Sequence, residues 1–340
     1  MVSKKISKLV AGLMVMSTLC FTACNSSENG TTVEGKATSK DAKKIGITQI
    51  IEHAALDEAR EGFIEGLKEA GYENGKNITI DFQNAQGNAM TANTIAQNFA
   101  SDKKDLIFAV ATPVAQAAYN ATKDIPIVFT AVTDPVDAGI TKSFEKPETN
   151  VTGTSDRAPV EEQIELLKKV MPNVKKVGFI YNTGEANSLV QLKDLKAICS
   201  KNGIEVIETG ITSVNEAAQS LSSILDKIDV LYTPTDNMVA SSMPLITEKC
   251  FEKNIGVFGA EAAHVKGGAF MTKGVNYKQL GKEAAAKAVE ILKGKKPSEI
   301  AVTCQEKFEI AINEDAVKKL NLTIPEDVIK EAVKITGGVK

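Results

Sequence analysis

The segment Lys44 to Tyr72, KIGITQIIEHAALDEAREGFIEGLKEAGY, changes its hydrophobic period part-way along, and few folds accommodate that change. Ile45 to Ile51 is rich in β-branched residues, whereas Ala55, Leu56, Ala59, Phe63, Ile64 and Leu67 recur at helical spacing until Gly71. A strand, a polar turn and an amphipathic helix therefore follow one another. The pattern returns along the chain. Strands at Ile78 to Phe82, Leu106 to Ala111, Ile127 to Ala131, Lys176 to Tyr181, Ile204 to Ile207, Val230 to Tyr232 and Ile255 to Gly259 alternate with helical segments. These include Met90 to Ser101, Val160 to Val170, Val214 to Leu225 and the Ala-rich Leu280 to Leu292. Such alternation predicts an α/β fold, in which ligands bind beyond the carboxyl ends of the strands, where helix starts leave backbone N–H groups unsatisfied. The first turn, Glu52-His53-Ala54, and its later counterparts are then polar loops converging on one cleft.

At 340 residues the chain exceeds the usual size of one domain, so two lobes are expected. The Gly/Thr-rich run Asn150-Val151-Thr152-Gly153-Thr154-Ser155-Asp156 separates two sets of strand–helix units and reads as the first crossing between lobes, with Ser155 and Asp156 at the hinge. A net charge of -3 and the absence of a basic stripe argue against nucleic acid as a partner. The two histidines, His53 and His264, lie far apart in sequence and neither CxxC nor HExxH occurs, so no metal is expected. No cofactor is implied. An exported enzyme would need a nucleophile with its base or a phosphate loop, yet neither G-x-S-x-G nor a Walker A motif is present.

The first residues carry an address. Lys4, Lys5 and Lys8 precede an apolar run from Leu9 to Leu19, too short to span a bilayer but suited to a secretory signal. Phe21-Thr22-Ala23-Cys24 resembles the lipobox of bacterial lipoproteins, which implies a signal peptide at 1–23 and a lipidated Cys24; the alternative is a soluble secreted protein. Two acyl chains give stable membrane attachment. Residues 24–43 are polar and read as a flexible tether. Cys199 and Cys250 fall in helical patterns and read as buried free thiols.

Candidate ligand contacts cluster at strand ends. Thr112, with Pro113 behind it, reads as a helix N-cap whose outward donors suit a carboxylate, or as a cap and nothing more. Ala131 and the loop Val132-Thr133-Asp134-Pro135 end the next strand, where Asp134 is either a ligand contact or a turn residue. In the second lobe, Tyr181 offers either a stacking face or a core side chain. Asn182, Glu185, Asn187 and Ser188 open the following helix, and Asp236-Asn237 mark another helix start. Glu261 follows the strand at Ile255 to Gly259, where its carboxylate either meets a ligand ammonium or sits solvated in a loop.

Taken together, Gln49-Ile50-Ile51-Glu52-His53-Ala54-Ala55-Leu56-Asp57, Ala111-Thr112-Pro113-Val114-Ala115-Gln116, Thr133-Asp134-Pro135-Val136, Thr152-Gly153-Thr154-Ser155-Asp156, Tyr181-Asn182 with Glu185 and Asn187-Ser188, and Asp236-Asn237 resemble the ABC-transporter substrate-binding lipoproteins that include tryptophan- and tyrosine-binding members. Ala54 stands where the family usually has proline. The resemblance implies a type I periplasmic-binding-protein fold: two doubly wound parallel-sheet lobes joined by a three-strand hinge. It places 44–156 plus about 273–301 in the first lobe and 157–272 plus about 302–340 in the second. It also implies carboxylate contacts from Thr112 and Thr133 with Ala131 backbone, and ammonium contacts from Glu261 or Asp236. Gln49, Glu52, His53, Gln116, Asp134, Ser155, Asp156, Tyr181, Asn182, Glu185, Asn187, Ser188 and Asn237 complete the expected site. The expected molecule is a monomeric, membrane-anchored receptor that delivers a small solute, an amino acid, to an ABC permease and its ATPase; a sensory lipoprotein or a nucleoside or sugar receptor of the same fold is the alternative. Few aromatics among these residues argue against extensive ring stacking and leave an aliphatic amino acid open.

Overall fold

A computed structural model of the chain describes residues 42–339. The signal peptide, Cys24 and nearly all of the tether lie outside the described residues. The first sheet has the strand order β11-β5-β4-β3-β1-β2, where β1 is Lys43–Gln49, β2 Ile78–Asn84, β3 Leu106–Val110, β4 Ile127–Thr130, β5 Val151–Ser155 and β11 Thr303–Cys304. The second has the order β13-β12-β10-β9-β8-β6-β7, built from β6 Lys176–Asn182, β7 Glu205–Ile211, β8 Val230–Thr233, β9 Gly256–Gly259, β10 Met271–Gly274, β12 Glu309–Asn313 and β13 Val333–Ile335. Every pairing is parallel except β10 with β12. All five residues of β3 and all four of β4, β8 and β9 are buried, as strands covered by helices on both faces require.

The helices are α1 Ala54–Glu69, α2 Ala89–Ser101, α3 Thr112–Ala121, α4 Val160–Val170, α5 Ala186–Lys201, α6 Ala217–Ser222, α7 Asn237–Ser241, α8 Met243–Glu252, α9 Ala262–Lys266, α10 Tyr277–Leu292, α11 Glu314–Lys319 and α12 Glu326–Glu331. Two parallel-sheet lobes therefore face each other, each with its own core. In the first, Phe63 of α1 stacks on Phe108 of β3 with ring centroids 3.6 Å apart. That core also takes Val275, Tyr277, Leu280, Ala284, Ala288, Val289, Ile300 and Val302, which follow strands β6 to β10 of the second lobe in sequence. Helix α10 lies close against α1 because glycines stand at the contact: a Cβ on Gly62 would fall 2.1 Å from the Lys278 carbonyl oxygen, and one on Gly281 2.0 Å from that of Ala59.

The chain crosses between lobes after β5, between β10 and α10, and between β11 and β12. Lys273 and Gly274 belong to the second sheet and Thr303–Cys304 to the first, so the later crossings fall a few residues beyond 273 and 301.

Several elements differ from the sequence reading for local reasons. Instead of one helix from Val214 to Leu225 there is a 3-10 turn at Val214–Glu216 and only six helical residues in α6. Glu216 folds back to accept from the Thr212 backbone and both neighbouring hydroxyls, while the Ser222 and Ser223 hydroxyls donate to carbonyls within the helix. Helix α10 begins at Tyr277, not Leu280, because the Asn276 side chain caps it by accepting from the Gln279 N–H at 3.0 Å. Cys199 and Cys250 are free and buried, and Cys304 is exposed. Among the described residues no helix is long and apolar enough to cross a membrane.

Candidate functional site

In both sheets the order of strands reverses, beside β1 and β3 in the first and beside β6 and β8 in the second, and loops at such a switch part to leave a crevice. The two crevices face one another. Between them lies a small cavity of about 10 Å³ lined by His53, Leu56, Ala131, Asp156, Thr235, Asp236, Asn237, Glu261 and Tyr277. Each comes from the carboxyl end of a strand or the start of the helix behind it: His53 and Leu56 follow β1, Ala131 follows β4, Asp156 follows β5, Thr235 to Asn237 follow β8, Glu261 follows β9, and Tyr277 opens α10.

The backbone at the floor is unusual. Ala111 and Ala131, at the ends of adjacent strands β3 and β4, have φ of 93° and 56°, a region that non-glycine residues rarely occupy. Each turns the chain sharply toward the cleft, as strained residues at binding sites do. One consequence corrects the sequence reading of Thr112. Ala111 takes the N-cap position, Thr112 is already helical, and its buried hydroxyl has no partner.

Four carboxyl groups are buried around this space, Asp156, Glu185, Asp236 and Glu261. Their hydrogen bonds distinguish them. Asp236 is fully occupied: it accepts from the Ser188 hydroxyl at 2.6 Å, the Asn182 N–H at 2.6 Å and the Val239 N–H at 2.9 Å, so it ties β6, α5 and α7 together. That corrects its expected role toward an ammonium group. Glu185 accepts from Asn187 and from the Asn237 side chain and backbone. Asp156 accepts from the Thr133 hydroxyl at 3.1 Å and the Tyr277 hydroxyl at 2.8 Å. Glu261 differs. Its Oε1 is buried without a hydrogen-bond partner and lies 3.4 Å from Nε2 of His264, which has none either.

Burial dominates the ionisation of this group of side chains. Desolvation pushes the Glu261 carboxyl up to about 8 and that of Glu185 up to about 7, the latter helped by neighbouring Asp236. Asp156 and Asp236 are raised for the same first reason, against the pull of their hydrogen bonds. Desolvation likewise lowers His53 to about 4 and His264 to about 3, so both rings are neutral near pH 7. The two histidines, remote in sequence, come near enough here for His53 to lower His264 as well. The lining includes no lysine or arginine.

Contacts across the cleft hold the lobes together. Nε2 of His53 lies 3.4 Å from Oδ1 of Asn237, and the hydroxyls of Thr133 and Thr235 lie 3.4 Å apart. At the rim, Lys266 of α9 pairs with Glu58 of α1. Arg157, just past the first crossing, joins Asp134 of the first lobe at 3.0 Å to Asp194 of α5 at 2.9 Å.

The remaining expected contacts are spent elsewhere. Gln49 donates to the Ile51 carbonyl and Asp57 and accepts from Arg60, which fixes the first turn from beneath. Glu52 is exposed. Gln116 donates to the Ala138 carbonyl, and Asp134 caps its own turn at the Val136 and Asp137 N–H groups. Ser155 donates to the Thr133 carbonyl. Tyr181 packs on Phe179 with ring centroids 5.7 Å apart, and is a core side chain. Asn182, Asn187 and Ser188 serve Glu185 and Asp236 from below, although Oδ1 of Asn187 stays unpaired. The sequence reading missed Thr235, His264 and Tyr277. Asn276 as a cap was the available signal for Tyr277. For Thr235 there was the same Thr-Pro-Thr-Asp-Asn turn that drew attention to Asp236.

A sequence profile described as ABC transporter substrate binding protein matches residues 44–336. The chain belongs to that family. It is a solute-binding protein and not an enzyme, and proteins of this family work outside the cytoplasm. It is 48% identical over 321 residues to a tyrosine-binding protein of Clostridioides difficile strain R20291, covering 94% of this chain and 93% of that one. Among solved structures, an ABC domain of Streptococcus pneumonia in complex with L-Trp matches with a TM-score of 0.84 at 34% identity, over 87% of this chain and 100% of that one. A ligand-free, open substrate binding protein with adhesive properties from Clostridium difficile matches with a TM-score of 0.68 at 50% identity, over 88% of this chain and 100% of that one. Agreement in shape thus runs against agreement in sequence. The contacts across the cleft join the two lobes, and the present arrangement is closed.

Proposed function

We propose that this chain captures an aromatic L-amino acid between its lobes and hands it to an ABC permease driven by an ATPase. One observation carries the reading: the buried Glu261 carboxyl has an unpaired oxygen, faces a second buried acid, Asp156, across Tyr277, and meets no lysine or arginine. A desolvated acid needs a counter-charge, and an α-ammonium group supplies one. In this reading Glu261, with Asp156, holds the ammonium, and the unpaired Thr112 hydroxyl at the start of α3 serves the carboxylate. Thr133 orients Asp156, while Thr235, Asn237 and His53 close over the ligand from the two sides. The tyrosine-binding and L-Trp-bound relatives support an aromatic side chain.

Closure follows from ligand contact with both lobes, because a ligand favours the closed state only by its differential affinity for it. The lipobox-like Phe21-Thr22-Ala23-Cys24 supports a diacylated Cys24 that anchors the protein to the outer face of the membrane, with residues 24–43 as tether. Two experiments test this. Titration of the purified protein with the amino acids, nucleosides and sugars in turn should give stabilisation by L-tyrosine or L-tryptophan, and binding of sugars alone refutes it. Cys24→Ala should abolish palmitate labelling in cells.

A further inference from the structure

Glu261 and His264 stand one helical turn apart at the start of α9, with Oε1 and Nε2 3.4 Å from each other and neither atom otherwise partnered. The far side of the His264 ring is engaged, its Nδ1 lying 3.0 Å from the Thr233 hydroxyl. The Thr233 hydroxyl donates to the Phe258 carbonyl at 3.5 Å and so accepts from Nδ1, and an imidazole that donates from Nδ1 presents a bare lone pair at Nε2. A bare nitrogen facing an ionised carboxylate would bury two acceptors against each other, whereas one proton between them satisfies both.

We propose that ligand-free Glu261 is a protonated acid turned toward His264, and that an arriving ammonium group expels this proton, so that amino-acid capture releases one proton to solvent. The proposal rests on the ammonium reading of Glu261 given above. His264 acts as a positioning residue: it keeps the proton on Glu261 and away from Asp156, whose oxygens already accept from Thr133 and Tyr277.

Of the titratable groups around Glu261, the Tyr277 hydroxyl favours its charged form, and burial together with two acids outweighs it. Asp156, from the end of β5, and Glu58, from α1, both oppose a negative charge on Glu261. Tyr277, at the start of α10, has one hydroxyl hydrogen and gives it to Asp156. His53, from the first turn, is neutral and so is His264. Across the space Asp236 is tied up by its own three donors. The pair also outlasts opening, since Glu261 and His264 sit on one element of one lobe. In the closed arrangement burial pushes the carboxyl up to about 8, and the His264 contact, which stays with Glu261 on its own lobe, favours the same neutral form before a ligand arrives, so that binding displaces the proton. Atoms and charge balance: a neutral acid plus an ammonium group becomes a carboxylate–ammonium pair plus a free proton.

Calorimetric titration of the purified protein with L-tyrosine and L-tryptophan, in two buffers of different ionisation enthalpy at about pH 6.5, counts the protons. About one proton released per ligand, with affinity rising about tenfold per pH unit from about pH 5.5 to 7.5, is expected. Glu261→Gln should bind weakly and without this pH dependence. Should that variant bind too weakly to titrate, the carboxyl ¹³C resonance of Glu261 in the ligand-free protein at about pH 6.5 should report the acid form, moving to the carboxylate form on addition of L-tyrosine. Undiminished binding with no proton released, an ionised Glu261 resonance in the ligand-free protein, or the same pH slope in Glu261→Gln overturns the proposal. The underlying reading fails separately: it falls if 3-(4-hydroxyphenyl)propionate, which lacks the amine, binds as tightly as L-tyrosine.

Discussion

The ion pair between Glu58 and Lys266 joins α1 of the first lobe to α9 of the second across the mouth of the cleft, so parting the lobes must break it. Its side chains keep 39% and 47% of their exposure, so it is a solvated surface pair and not a buried one. Such pairs contribute about 0.2–1 kcal/mol. If the ligand-free protein is mainly open, that contribution enters the closing equilibrium directly, and Glu58→Ala or Lys266→Ala should weaken L-tyrosine binding roughly 1.4- to 5-fold. Neither side chain is assigned a ligand contact, so selectivity among amino acids should not change. The double charge swap, Glu58→Lys with Lys266→Glu, should recover wild-type affinity to within about twofold, and raising salt to about 0.5 M should shrink the single-variant effects. Calorimetry measures the affinities, and small-angle scattering with and without ligand measures closure. A loss beyond tenfold in either single variant, or a swap that recovers nothing, would show that this contact does not act through closing.

Other perturbations have equally definite outcomes. Phe63→Ala removes a fully buried ring stacked on Phe108 and should cost about 3–5 kcal/mol in urea unfolding of the ligand-free protein. Gly281→Ala drives a methyl group into the α1 backbone and should cost about 1–3 kcal/mol, with ligand selectivity retained. Asp236→Ala should cost about 2 kcal/mol or more, because a helix cap and the donors of Ser188 and Asn182 are lost together. Stability should depend on pH with a defined sign. Between about pH 6.5 and 8 the folded protein holds protons on Glu261 and Glu185 that the unfolded chain has released, so melting temperature should fall as pH rises. Below about pH 6.5, His53 and His264 bind fewer protons folded than unfolded and act in the opposite sense. Glu261→Gln should flatten the fall between pH 6.5 and 8.

The architecture was legible wherever a buried parallel strand ran into an amphipathic helix, as at Ile45 to Leu67, because both periods are written in one chain segment. Short pieces left no such trace. Thr303–Cys304 and Val333–Ile335 are strands only because a neighbouring strand offers its edge. Within the site, spacing pointed to loops that line the cleft but not to the hydrogen bonds each side chain makes. Asp236 and Glu261 look alike as acids after a strand, and only the donors brought by Ser188, Asn182 and Val239 set them apart. His264 was invisible as a site residue because its partner in field, His53, comes from the opposite lobe. Tyr277 was hidden by the same circumstance, since Asp156 reaches it from another crossing.

The first lobe's core is completed by Val275, Leu280, Ala284, Val289 and Val302, which come after five of the second lobe's seven strands. Neither half can therefore finish before most of the chain has been made: an emerging chain stopped before Val275 exposes the apolar side of α1 and an unpaired edge of β5. Native contacts in the first lobe are long in sequence, and their closure waits for the last fifth of the translation product. A chain that must pass a membrane unfolded gains from that delay, because the form that threads most readily is the one its own connectivity keeps open longest.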